Sequence, residues 1–305
     1  MTDTVPEALA DEQPPKSQWR LVWDQFKTHR GAVWGMGFFI FVVLAVTLGP
    51  YVWTIDAQYI DIRARNSGPT LAHPLGTDQL GRDTLARVLM GGRVSMAVGI
   101  TAMALALVVG ALIGVLAGYF RRLDGPLMRL TDLFLALPLL PLLLVIIMLF
   151  RDTLRAAFGP ETGIFFLIVF VIGITSWMQT ARIVRGDVLA IKEREFIVAS
   201  RSIGTPPQRM ILRHILPNVL SPITVSATLG IANAIITESA LSFLGLGFPS
   251  DFPTWGRLLF DSTDYMQQYP ERVLWPGLAI SLTVLSVNYI GDGLRDALDP
   301  RIRGR

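Results

Sequence analysis

Six stretches of this sequence contain no charged residue: Ala32–Trp53, Val94–Phe120, Leu133–Phe150, Thr162–Ala181, Ile215–Thr237 and Val273–Gly291, each 18 to 27 residues long. A bilayer core about 30 Å thick takes roughly 20 helical residues. In such a solvent every backbone N–H and C=O must be satisfied internally, which leaves helices or closed barrels. Barrel strands are about 10 residues of alternating polarity, and these runs do not alternate. The reading is an all-α polytopic membrane protein with six transmembrane helices. Composition agrees: 51% of residues are hydrophobic and 17% charged, against about 25% charged in soluble domains.

The segment before the first run divides in two. Residues 1–18 are polar and proline-bearing, with no apolar core after a basic start, and read as a disordered tail and not a secretory leader. Gln18–Arg30 places Trp19, Val22, Trp23 and Phe26 on one helical face, flanked by Lys16, Arg20 and Lys27. This fits an amphipathic helix on the membrane surface, or a solvated lead-in to the first span. The organisation predicted is residues 1–30 as a tail with an interfacial helix and 31–305 as the membrane domain. With the N-terminus inside, cytoplasmic segments carry 18 of the 27 Lys and Arg residues. That bias places both termini in the cytoplasm.

Catalytic chemistry is missing. There is no H-E-x-x-H, no G-x-S-x-G and no cysteine, so no thiolate site or disulfide can form. His29, His73 and His214 fall in three separate segments and are not expected to share a metal. Glycine is nowhere followed by lysine, so no phosphate loop of the G-x-x-x-x-G-K type exists. We expect no catalytic residue, no metal and no nucleic-acid partner. Ionisable groups in the spans are few. Glu238 lies near the external end of span five and reads either as lining a cavity or as interfacial. Arg129 and Asp132, at the start of span three, read as helix-end anchors or an i,i+3 pair. Gly110, Gly114 and Gly118 form a small-xxx-small stripe suited to close helix packing.

The segment between spans four and five, 183–218, is basic and sharply specified. Phe196, Ile197, Ala199 and Ile203 suit one face of a short helix, and Gly204 suits its C-terminal stop. Thr205 is placed to cap a second helix, with Pro206 at its first position and Gln208 completing a T-x-x-Q box. Pro217 marks the start of span five. Small side chains at Ala199, Ser200, Ser202 and Gly204 suit a docking knob for another protein; the alternative is an elbow that only redirects the chain.

These residues resemble the EAA loop of ABC importer membrane subunits, E-A-A-x-x-x-G followed by an apolar-Leu-Pro. Here the core falls on Val198, Ala199, Ser200 and Gly204, with Leu216-Pro217 downstream. Val198 replaces the usual acid and Ser200 the second alanine; Glu195 stands three residues earlier. Leu75-Gly76-Thr77-Asp78-Gln79-Leu80-Gly81-Arg82-Asp83 resembles the L-G-T-D-x-x-G-R-D signature of the dipeptide/oligopeptide/nickel group. Leu241 to Gly247 with Trp255-Gly256, and Asn288, Gly291 to Asp296 and Leu298-Asp299-Pro300, resemble later stretches of that group. The likeness runs from about residue 70 to 303 and is to the second permease subunit of peptide-type importers.

The resemblance implies the type I ABC importer permease fold in a bacterial plasma (inner) membrane. It implies half of a pore for di- or oligopeptides, shared with a similar second permease. Two ATPase subunits would bind ATP and magnesium, this chain binding no cofactor, and an external solute-binding protein would deliver cargo. Glu195, Val198, Ala199, Ser200, Gly204, Thr205, His214 and Pro217 would couple to the ATPases. Nickel chelates, opines or glycosides are alternative cargoes. An ion-coupled secondary transporter, which wants mid-membrane carboxylates or paired interrupted helices, and a scaffold are the rival classes. Asp78, Gly81, Arg82 and Asp83 would meet the binding protein or seal an outer gate, or else cap the fold by bonding to one another. Asp292, Arg295 and Asp296, with Asp299, would brace the elbow through Arg201, Arg209 and Arg213. The alternative is an anchor made by Arg301, Arg303 and Arg305.

Overall fold

The computed structural model describes residues 18–298. The polar tail 1–17, Asp299 and the arginines at 301, 303 and 305 lie outside the described residues, as does the side chain of Trp19. Apart from one isolated β-bridge, the regular structure of the described residues is helical: α1 (Gln18–Thr28), α2 (Arg30–Val52), α3 (Thr84–Tyr119), α4 (Arg121–Ala136), α5 (Leu139–Phe158), α6 (Thr162–Lys192), α7 (Glu195–Ser202), α8 (Pro207–Met210), α9 (Leu216–Phe243), α10 (Trp255–Ser262) and α11 (Glu271–Leu298). Five helical stretches are long and apolar enough to cross a membrane, and α4 with α5 makes a sixth as one bent pair.

That bend departs from expectation. Span three is predicted as one helix over Leu133–Phe150; instead α4 and α5 meet at 87°. Pro138 has no N–H to continue the ladder, and its ring pushes Leu137 out of helical space, to φ −76°, ψ 137°. Thus α4 lies along one end of the bundle, and α5 starts part-way through it.

The central pair is α3 and α6, which run parallel. The glycine stripe does what its spacing predicts. A Cβ on Gly110 would lie 2.7 Å from the Trp177 carbonyl oxygen, one on Gly114 2.7 Å from that of Ala181, and one on Gly118 2.7 Å from Val188 Cβ. Only glycine lets the two backbones approach this closely. Helix α9 crosses α3 in the opposite sense, with Gly99 against Ile235, while α11 runs back along α2, with Gly35 against the Ser286 carbonyl. Buried clusters of Val98, Ala102, Leu143, Ile168 and Ile172, and of Val42, Val46, Met96, Ile235 and Trp255, fill these seams.

α3 spans 36 residues, about 54 Å at 1.5 Å per residue, well beyond a hydrocarbon core. The bundle therefore has two protruding ends. One carries α1, the start of α2, the end of α11 and the segment around α7 and α8. The other carries the loops 53–83 and 244–270.

Amphipathic α1 does not simply lie on a surface. Phe26 is buried with Ala32 and Ala297, and Val22 and Leu294 pack beside them. Trp23 stays exposed, stacked on Phe26 at 5.7 Å, with Lys27 Nζ 5.9 Å above its ring.

Candidate functional site

Three places carry polar or exposed groups that packing alone does not require: the elbow around α7 and α8, a groove between α6 and α9, and the cap at the opposite end.

The elbow is narrower than the 183–218 segment, because α6 continues to Lys192 and α9 begins at Leu216. Helix α7 ends on Gly204, at φ +79°. Gly204 N–H donates to the Arg201 carbonyl at 3.0 Å and Thr205 N–H to that of Ser200 at 3.2 Å, the paired bonds of a Schellman stop. The capping box does not form. Pro206 precedes Pro207 and is held extended, at ψ 150°. Pro206 is therefore the N-cap, Pro207 the first helical residue, and Thr205 Oγ1 instead accepts from Ser200 Oγ at 3.0 Å. Pro217 does not interrupt the chain either. A π-helical turn, Ile211–Ile215, absorbs the missing donor, and Pro207–Phe243 runs on as one membrane-length helix.

One side chain of α7, Ile197, is fully buried, with Met210 and Ile215 against Val184, Val188 and Val219. Of the greasy face expected on α7, Phe196 and Ile203 point outward. Ile203 is 84% exposed, Val198 49% and Phe196 48%. Glu195, Ala199 and Gly204 are exposed too, Ser200, Thr205 and His214 half-buried, and Pro217 exposed. A small, rigid knob with an apolar, uncovered tip results.

The groove has a volume of about 480 Å³. α6 contributes Ser176, Gln179 and Thr180, and α9 contributes Ser226, Asn233 and Thr237; Leu137 and Leu139, at the α4–α5 break, close one side. Thr180 Oγ1 and Ser226 Oγ share a hydrogen bond of 2.9 Å at its wall. None of the lining residues is ionisable. The sequence reading passed over these positions because it looked for charge. The available signal was neutral: 226, 233 and 237 fall on one face of α9, and 176, 179 and 180 on one face of α6.

Glu238 lines none of the described cavities, which corrects both readings of it. It is fully buried, accepting from Ser95 Oγ at 2.8 Å and Ser242 Oγ at 2.7 Å. Ser95 Oγ also accepts from the Trp255 N–H at 3.2 Å. Next to groove-lining Thr237 but on the opposite side of the α9 wall, Glu238 ties α9 to α3 and, through Ser95, to the start of α10. Asp132 likewise finds another partner: it pairs with Arg182 of α6 at 2.5 Å, not with Arg129. Arg185 of α6 grips Asp124 beside it at 2.5 Å and 2.8 Å.

At the far end, Asp78, Gly81, Arg82 and Asp83 form a self-bonded cap. Thr77 and Asp83 pair across a tight turn closed by Gly81, at φ +80°. A Cβ there would lie 1.7 Å from the Asp61 carbonyl oxygen. Asp78 Oδ2 accepts from Arg82 Nε at 2.6 Å and Arg87 Nη1 at 2.5 Å, and Arg87 reaches Asp261 at 3.3 Å. Arg257 pairs with the same Asp261 at 2.9 Å. Burial opposes the Asp78 charge, but the Arg87 and Arg82 guanidiniums outweigh it and hold the carboxyl below its ordinary value. Asp83 accepts from Ala86 N–H at 2.7 Å, capping α3, and from Trp53 Nε1 at 3.0 Å. Arg272 of α11 donates to Asn66 Oδ1 at 2.7 Å and to the Thr77 carbonyl at 2.8 Å. The Asp78–Arg82 pair closes through this tight turn.

The C-terminal brace is also corrected. Among the described residues no ion pair joins Asp292, Arg295 or Asp296 to Arg201, Arg209 or Arg213. This end of α11 turns its small face to α1 and α2 instead: Gly293 lies against Ala32 and Phe26. Apolar packing of Leu294 and Ala297 fixes that choice. No cluster of His, Asp or Glu suited to a metal occurs among the described residues.

Known proteins agree with this architecture. Residues 106–304 match the family described as binding-protein-dependent transport system inner membrane component. The chain belongs to that family. Residues 17–69 match the N-terminal transmembrane domain of oligopeptide transport permease C. The dipeptide transport system permease protein DppC of Alkalihalophilus pseudofirmus is 37% identical over 294 residues, covering 96% of this chain and 93% of that one. The glutathione transport system permease protein GsiD of Pectobacterium atrosepticum is 36% identical over 306 residues, covering 99% and 97%. The oligopeptide transport system permease protein OppC of Bacillus subtilis is 33% identical, covering 94% and 91%. A chain of the MetNI methionine ABC transporter, solved in inward-facing conformations, superposes with a TM-score of 0.55 over 68% of this chain and 95% of its own. At 17% identity that likeness speaks for the fold alone.

Proposed function

We propose that this family member forms half of the translocation pathway of an ATP-driven peptide importer. The groove between α6 and α9 is its wall, and the elbow is its contact with a separate ATPase subunit. The observation that carries this reading is the continuity of Pro207–Phe243. One helix begins in the exposed knob and carries Ser226, Asn233 and Thr237 into the groove. A displacement of the knob must therefore reach the groove face, coupling by a rigid element with two arrangements.

Charge supports the sidedness: the end bearing the elbow, the start of α2 and the end of α11 is the Lys- and Arg-rich end, so it faces the cytoplasm. Peptide cargo is supported by the names of the relatives, which run through dipeptides, oligopeptides and glutathione. The further partners are a second, non-identical permease and a solute-binding protein that docks at the capped end. Two ATPase subunits supply the nucleotide chemistry.

Affinity purification of the tagged chain with its neighbouring reading frames, followed by reconstitution, tests this. Two ATPase chains should co-purify, and peptide uptake should require ATP and the binding protein. Ile203→Asp should release the ATPases while leaving membrane insertion intact. Uptake driven by an ion gradient without ATP would overturn the reading.

A further inference from the structure

Gln179 on α6 and Asn233 on α9 are exposed, and neither carboxamide has a hydrogen-bond partner among the described residues. Each offers two N–H donors and an acceptor oxygen. In a helix within the hydrocarbon region, such groups left facing lipid would be unsatisfied and costly. Both instead open into the one groove, whose other hydroxyls are partly committed: Thr180 and Ser226 to each other, and Thr237 Oγ1 to the Asn233 carbonyl at 2.8 Å. The two amides, with the Ser176 hydroxyl, are thus the groove's uncommitted side-chain hydrogen-bonding groups.

The lining itself is electrically quiet. No lining residue is ionisable. Asp132 is paired with Arg182 and Asp124 with Arg185, and Glu238 is sealed behind the wall by Ser95 and Ser242; Asp187, one turn beyond the lining on α6, is half-buried outside the groove. A fixed charge on the wall would hold cargo of opposite charge and exclude cargo of like charge. A carboxamide does neither, and its paired donor and acceptor match the N–H and C=O that every peptide unit carries.

We infer that this wall is a charge-free amide surface that contacts the backbone of an extended peptide through Gln179 and Asn233, and is indifferent to the charge of the peptide's side chains. The inference rests on the peptide-import reading above and adds which feature of the cargo the pathway meets.

The absence of cysteine makes the first test direct. In the assembled transporter, Gln179→Cys and Asn233→Cys should react with a charged, water-soluble maleimide. A cysteine in place of Val108, exposed on the outer face of α3, should not. The second test compares import of three tripeptides, Ala-Ala-Ala, Ala-Lys-Ala and Ala-Glu-Ala, each saturating the binding protein. Rates of Asn233→Asp and Gln179→Glu are divided by wild type for each peptide. The acidic peptide should fall about tenfold relative to the basic one, the size of a screened charge–charge interaction across the groove. Unlabelled cysteines at 179 and 233 would overturn the inference, as would equal loss for all three peptides. Wild-type import of none of the three would remove the peptide reading itself; import with charge-blind variants removes the inference alone.

Discussion

Ser200 Oγ donates to Thr205 Oγ1 across the elbow turn at 3.0 Å, closing side chain to side chain the loop that Gly204 closes through its backbone. The hydroxyl expected to cap α8 is spent on holding the end of α7. The knob is thereby fixed at both sides of its one left-handed residue, and its exposed tip, Val198 and Ile203, keeps a single orientation.

Gly204→Val tests this point in isolation. No neighbouring atom lies within 4 Å of a Cβ at this position, so the cost is backbone strain alone, about 1–2 kcal/mol for a left-handed residue with a side chain. Transport and ATPase stimulation should fall severely while insertion and bundle stability are unchanged. Gly204→Asn, which tolerates the left-handed region, should restore much of the coupling. Normal ATP-driven uptake by Gly204→Val would show that the turn geometry is dispensable.

The glycine seam should respond in the opposite way. Gly114→Leu forces atoms into the Ala181 carbonyl and Val184, each 2.7 Å from the first added carbon. Overpacking of this kind costs about 1–3 kcal/mol. The purified complex should show a lowered Tm in detergent before any specific coupling defect appears. Gly37→Ala, inside α2 where nothing lies within 4 Å, is the control and should not lower Tm, since alanine is the better helix former.

How much of this was legible follows from range along the chain. An uncharged run of about 20 residues has one solution in a bilayer, so the helices could be read directly. The glycines at 110, 114 and 118 could be read as a seam because small-xxx-small spacing is itself the contact pattern. The break at Leu137-Pro138 was equally local, but an uninterrupted apolar run concealed it. The partner of Asp132 was not legible at all: Arg182 lies 50 positions away, and helix spacing offered Arg129 instead. Glu238 and the groove hid for a related reason. Burial and exposure on α9 alternate at neutral residues, and only the packing of α3 and α6 decides which face is open.

Asp78 gives the cap a pH dependence whose sign follows from its lowered pKa. Its carboxylate is favoured in the folded state, so the stabilisation is complete above the ordinary value of 3.8 and is lost as pH falls through the lower folded-state value. Thermal unfolding followed between pH 7 and pH 3 should show little change from this residue until pH passes below about 4. Asp78→Asn leaves Arg82 buried without a carboxylate partner and Arg87 with Asp261 alone, which costs about 3–5 kcal/mol. The variant should be destabilised at neutral pH and lack this acid-induced loss. A Tm equal to wild type at pH 7 would mean the network contributes no net stability.

The last relationship concerns the two ends of the described chain. Gly293 lies where a Cβ would meet Ala32 Cβ at 2.2 Å and Phe26 at 3.1 Å, so α11 holds α1 by close apolar packing and not by charge. Gly293→Leu should therefore pry α1 away while leaving the elbow in place. Limited proteolysis reads this directly, because Arg20, Lys27 and Arg30 are exposed trypsin sites in or beside α1. Cleavage there should rise several-fold in Gly293→Leu, in line with the loss of about 1–3 kcal/mol from overpacking, with ATPase stimulation retained. Charge-reversing Asp292 and Asp296 should do neither. If those reversals abolished ATPase stimulation while α1 stayed protected, the electrostatic brace to the elbow would be the better account of this end of α11.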